Sequence, residues 1–197
     1  MTGELEIETP HGPARAHVRP ADDPRGLLVL GHGAGGGVEA RDILAAAGAA
    51  LAESFSVVLV EQPYRVAGRK SPAPAAQLDA AWAAVIEAVR TDDLPLITGG
   101  RSSGARVACR TAAATGAAGV LCLAFPVHPP GRPEKSRLDE LDGVAVPVLI
   151  VQGSSDPFGM PPEAPDRTLV KVPGNHSLTG DIGTLRSAVG EWLRLRA

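Results

Sequence analysis

Two serines stand side by side in Gly100-Arg101-Ser102-Ser103-Gly104, a G-x-S-x-G match. A serine hydroxyl raised on a sharp turn between a strand and a helix can attack a carbonyl carbon, provided that a base takes its proton. In a chain with 23 glycines the five-residue pattern alone is a weak signal, so its surroundings decide its weight. "LPLIT" leads in as a strand, and "SGARVACRTAAAT" leads out as a helix. The flanking glycines let backbone pass close to backbone, and a helix amino end favours nearby negative charge. The competing reading is an ordinary strand-to-helix turn with Ser102 or Ser103 as the helix cap.

A nucleophilic serine needs a histidine base and an acid to orient it. Where the serine sits on such an elbow, these follow in the order acid, then histidine. The histidines are His11, His17, His32, His128 and His176, and only His176 follows the strong apolar run "PVLIVQG". It lies in "VPGNHSL", just past the strand pattern "TLVKV". Asp156, in "PVLIVQGSSDPFG", sits on the loop beyond that run and is the preferred acid; Glu134, Asp139 and Asp142 lie too far into the preceding connection. Taken singly, Asp156 could begin a turn before Pro157 and His176 could be a plain loop residue. Together with Ser102 they have the right types, in the right order, at one edge of a sheet.

"LLVLGHGAGGG" supplies a fourth part. Its glycines let main-chain N–H groups turn toward a developing oxyanion, and the expected donors are the amides of Ala34 and of Ser103. The run lacks the spacing of a phosphate-binding loop. His32 precedes the acid in the chain and is therefore expected to be structural, with His32 and Gly33 lining the site. Tyr64 and Arg65, on the loop after the fourth strand, are expected at its rim.

The elements that must position these residues are legible as periodicity. "LEIET" and "ARAHV" alternate with period two around "PHGP", which predicts an antiparallel hairpin. Six continuous apolar runs follow: "GLLVLG", "FSVVLVE", "LPLITG", "AGVLCLAF", "PVLIVQG" and "TLVKV". Such runs suit strands buried on both faces of a parallel sheet. Between them "EARDILAAAGAALAES", "APAAQLDAAWAAVIEAVR" and "SGARVACRTAAAT" have helical spacing, as does the closing "TLRSAVGEWLRLR". The predicted fold is α/β, a single domain over residues 1–197: a mostly parallel sheet of about eight strands with helices on both faces. The short connection "HPPGRPEKSRLDELDG" has room for a loop and one short helix, so little or no cap and a shallow, open site are expected.

Composition narrows the partners. A net charge of -3 and the lack of a clustered basic face argue against nucleic acid. No apolar run approaches the roughly 18 residues of a membrane span, and the first ten residues lack the pattern of a secretory signal. Cys109 and Cys122 lie in apolar segments and are expected as reduced core residues, which points to the cytoplasm.

The stretches "GHGAGG", "QPYRVAGRKSP", "GGRSSGARVA", "FPVHPPGRPEKSR", "VQGSSDPFG" and "GNHSL" together resemble α/β-hydrolases of the dienelactone-hydrolase-like type. More narrowly, they resemble the small-hydrolase group that includes the testis-expressed hydrolase-like proteins and the α/β-hydrolase-like subunit of the NSL chromatin complex. The resemblance implies the α/β-hydrolase fold and a Ser102, Asp156, His176 triad, and it brings Arg101 and His128 near the site. Ser103 departs from the larger residues common there. The function expected is hydrolysis of a small ester or thioester through an acyl-enzyme, with no metal or organic cofactor. The alternatives are a hydrolase-like binding or scaffold protein with little turnover, and acyl transfer to an acceptor other than water.

Overall fold

A computed structural model describes residues 3–91 and 93–196; Met1 and Thr2, the start of the amino-terminal reading, lie outside the described residues. Eight strands form one sheet: β1 (Gly3–Ile7), β2 (Ala14–Arg19), β3 (Gly26–Gly31), β4 (Phe55–Glu61), β5 (Leu96–Arg101), β6 (Gly119–Leu123), β7 (Val148–Gly153) and β8 (Arg167–Val172). Their order is β1-β2-β4-β3-β5-β6-β7-β8. The hairpin β1–β2 is antiparallel and β2 joins β4 antiparallel, while every pairing from β4 to β8 is parallel.

The helices are α1 (Arg41–Ala52), α2 (Pro63–Val66), α3 (Ala75–Val89), α4 (Ser103–Thr115), α5 (Leu138–Asp142) and α6 (Ile182–Arg194). Alternate strand residues serve opposite faces, as strand pleating requires. Leu28, Leu30, Val57 and Leu59 pack with Ile43 and Ala47 of α1 and with Leu185, Val189 and Trp192 of α6. On the other face Leu27, Val29, Val58 and Val60 meet Leu78, Trp82 and Val85 of α3. Val120, Cys122, Val148 and Ile150 meet Ala105, Ala108 and Cys109 of α4. This is the layered α/β arrangement that the strand and helix patterns predict.

The parallel strands all end at one edge, where β3, β5, β7 and β8 open into the loops holding the candidate residues. Connection 124–147, between β6 and β7, contains α5 as its helix. Cys109 and Cys122 are both buried, with sulfurs 3.6 Å apart across the α4–β6 contact. Among the described residues, no helix is long and apolar enough to cross a membrane.

Candidate active site

Ser102 is the joint between β5 and α4. Its backbone sits at φ 52° and ψ -106°, a conformation that L side chains adopt rarely and only under constraint from their surroundings. The constraint is close backbone contact. A β-carbon on Gly104 would stand 2.6 Å from the Gly31 carbonyl, and one on Gly100 would stand 2.5 Å from the same oxygen. Both glycines of the motif are therefore steric necessities, which gives the pattern a physical reason. The Ser102 N–H donates to Leu123 O at 2.9 Å and its carbonyl accepts from Arg106 N at 3.2 Å, so the turn is tied on both sides.

The strain leaves the hydroxyl in place for a partner. His176 Nε2 lies 2.8 Å from Ser102 Oγ, and His176 Nδ1 lies 2.8 Å from Asp156 Oδ2. The Asp156 side chain is fully shielded, and the groups around it are donors. Gln152 Nε2 donates to Oδ2 at 2.9 Å, and the Phe158 N–H donates to Oδ1 at 2.9 Å. Three donors on two oxygens suit the ionised carboxylate. A carboxylate only accepts, so Nδ1 carries the imidazole hydrogen and Nε2 presents its lone pair to the Ser102 hydroxyl. Phe158 stacks on the His176 ring, with centroids 4.1 Å apart at 28°. Buried Leu178 then anchors the loop beyond His176 in the core between the sheet and α6.

The glycine loop after β3 is also held. Gln62 N–H donates to His32 Nε2 at 3.2 Å, so Nδ1 bears the proton and donates to Gly33 O at 2.8 Å. Burial pushes His32 below its ordinary 6.5 and keeps the ring neutral. Gly36 N–H donates to the same Gly33 carbonyl at 3.1 Å. In a trans peptide the N–H points opposite to the C=O, so fixing the Gly33 carbonyl fixes the direction of the Ala34 N–H. The first N–H groups of a helix lack partners within it, and Ser103 opens α4 directly after Ser102.

The structure brings Ser102, His176 and Asp156 into one hydrogen-bonded run and places the Gly33–Ala34 loop beside it. The other residues named from the sequence lie around this run. Tyr64 is buried on α2 rather than exposed at a rim, and Pro63 stands at the helix start. Its hydroxyl donates to Ala34 O at 2.9 Å, and burial pushes its pKa up to about 12. Arg65, half-buried on α2, donates to Arg69 O at 3.3 Å, within its own turn rather than toward Ser102. Arg101 spans the site, with Nε donating to Asp42 Oδ2 at 2.7 Å and Nη2 to the His176 carbonyl at 3.1 Å. His128 is one step removed: its N–H donates to Phe158 O at 3.0 Å and its ring packs against Gly159. Sequence reasoning missed Gln152, Phe158 and Asp42. Only Gln152 had a visible signal, a lone amide inside the buried run "PVLIVQG" that must find partners.

Residues 24–179 match the family described as Alpha/beta hydrolase domain. The chain belongs to that family. No curated protein matches it. Among solved structures, an α/β serine hydrolase without a lid from Xanthomonas campestris is similar with a TM-score of 0.76 at 24% identity, over 97% of this chain and 94% of that one. Est1E from Butyrivibrio proteoclasticus, also solved with ferulic acid bound, is similar with a TM-score of 0.78 at 18% identity, over 99% of both chains. A dienelactone hydrolase from Anabaena variabilis gives 0.72 at 14% identity, over 100% of this chain and 96% of that one. At these identities the likeness is one of fold.

Proposed function

We propose that the protein is a serine hydrolase that cleaves a small ester or thioester through an acyl-enzyme intermediate. The observation that supports this most is the hydrogen-bonded run from Asp156 through His176 to the strained Ser102. Ser102 Oγ attacks the carbonyl carbon while His176 Nε2 takes the hydroxyl proton, and Asp156 holds the imidazolium that forms. The carbonyl oxygen becomes an oxyanion facing the amides of Ala34 and Ser103. Collapse of this intermediate breaks the bond to the alcohol or thiol, which leaves with the proton from His176. Water, deprotonated by His176, then attacks the acyl group, and the same steps release the acid and restore Ser102.

A fluorophosphonate probe tests the assignment. It is expected to label the wild type at Ser102 and to leave Ser102→Ala unlabelled, and the wild type is expected to hydrolyse short nitrophenyl esters. Hydrolysis should weaken on the acid side as the base becomes protonated. Equal labelling of both proteins contradicts the nucleophile assignment.

A further inference from the structure

Arg101 immediately precedes the strained serine, and its guanidinium reaches three other segments. Nε donates to Asp42 Oδ2 at 2.7 Å, and Nη2 donates to the His176 carbonyl at 3.1 Å. Nη1 lies against the glycine loop, 2.9 Å from where a β-carbon on Gly33 would stand. The Asp42 side chain is 1% exposed, and its second oxygen accepts the Ile43 N–H at 2.9 Å at the start of α1. Burial pushes the Asp42 carboxyl up from 3.8 and the Arg101 charge opposes that rise, so the carboxylate depends on its partner.

We propose that Arg101, anchored by Asp42, is a positioning residue that keeps the His176 loop and the Gly33–Ala34 loop in register with the Ser102 elbow. This rests on the hydrolase reading above. The reason lies in the chain on either side of His176. Gly174 O accepts the Ser155 N–H at 2.9 Å and Asn175 O accepts the Leu178 N–H at 3.3 Å, while Arg101 is the side chain that reaches the carbonyl of His176 itself, whose imidazole must hold 2.8 Å contacts at both nitrogens. A planar guanidinium offers neighbouring donors at fixed angles, so an arginine fixed at Asp42 holds the His176 carbonyl at a fixed place. An ion pair serving stability alone would contribute little net energy at this depth and would not need to reach the base loop.

Arg101→Lys keeps a cation beside Asp42 but has one nitrogen for two acceptors. Wild type and variant are compared in nitrophenyl acetate hydrolysis below their melting temperatures. The expected result is a kcat about tenfold or more lower, because small misplacements of reacting groups carry large rate penalties. KM should stay within about threefold, because ground-state binding is not what is lost. The acid limb of the pH–rate profile should also move, which a purely structural pair would not cause. Asp42→Asn, which leaves the arginine but removes its charged anchor, is expected to lower kcat in the same sense and carries the test if Arg101→Lys melts too early. Wild-type kcat in the variant tested, or a loss confined to KM, overturns the inference and leaves the hydrolase reading standing. A wild type without Ser102-dependent turnover overturns that reading, and this inference with it.

Discussion

On the Ser102 side of the site, glycine main chain packed on main chain sets the shape; on the His176 side, side chains add their hold to a similar packing of Gly153 against Gly174 and Asn175. Gly100 and Gly104 press against Gly31 with no room for a β-carbon, and the elbow between β5 and α4 takes its shape from that contact. Across the edge, Asp156 and His176 sit on loops after β7 and β8, fixed by Gln152, Phe158 and Arg101. The first construction is set within one strand-turn-helix unit and one neighbouring strand. The second needs residues from α1, β5, β7 and two loops to arrive together. Substitutions of the packed glycines should therefore break the fold, and those of the side chains that hold Asp156 and His176 should break the chemistry.

The largest effect is expected on the side-chain half. Asp156→Asn keeps the shape but no longer fixes the hydrogen on His176 Nδ1, and kcat should fall by about 10⁴ while the melting temperature changes little, as steady-state kinetics and calorimetry would show. Loss of stability comparable to loss of rate would blur the contrast. On the main-chain half, Gly104→Val sets a branched side chain against the Gly31 backbone, which cannot move aside. It should lose about 3 kcal/mol or more in denaturant unfolding, at the upper end of overpacking penalties.

The glycine loop stands between the two types, and its supports give smaller effects. Burial pushes His32 below 6.5, so just under that pH the unfolded chain takes up a proton that the folded chain refuses. Stability should therefore decline as pH falls below about 6.5, and His32→Asn, which keeps a donor near Gly33 O, should flatten that slope in denaturant titrations. Smallest is Tyr64→Phe, which removes the donor to Ala34 O and should lower stability by about 1 kcal/mol with a few-fold loss in kcat.

The same contrast explains what the amino-acid sequence made legible. α4 begins at Ser103 and ends at Thr115, as the run of helix formers predicts, and β3 and β4 match their apolar runs. Those elements follow from local periodicity. So does the order Ser102, Asp156, His176, because each residue sits where a strand ends. The burial of Tyr64 is not legible locally, because the Ala34 carbonyl that accepts from its hydroxyl lies 30 positions away. Asp42 reads as a residue that favours a helix amino end, and only the fold brings Arg101 to it. Phe158 carries no periodic signal, since it lies on a loop and stacks on a ring 18 positions later.

Rapid mixing with a nitrophenyl ester, followed by acid quench and intact mass measurement, tests the central claim most directly. The account predicts a burst of nitrophenol close to one equivalent, a mass gain of one acyl group on the peptide containing Ser102, and neither in Ser102→Ala. Turnover with no acyl adduct, or an adduct that persists in Ser102→Ala, would contradict it.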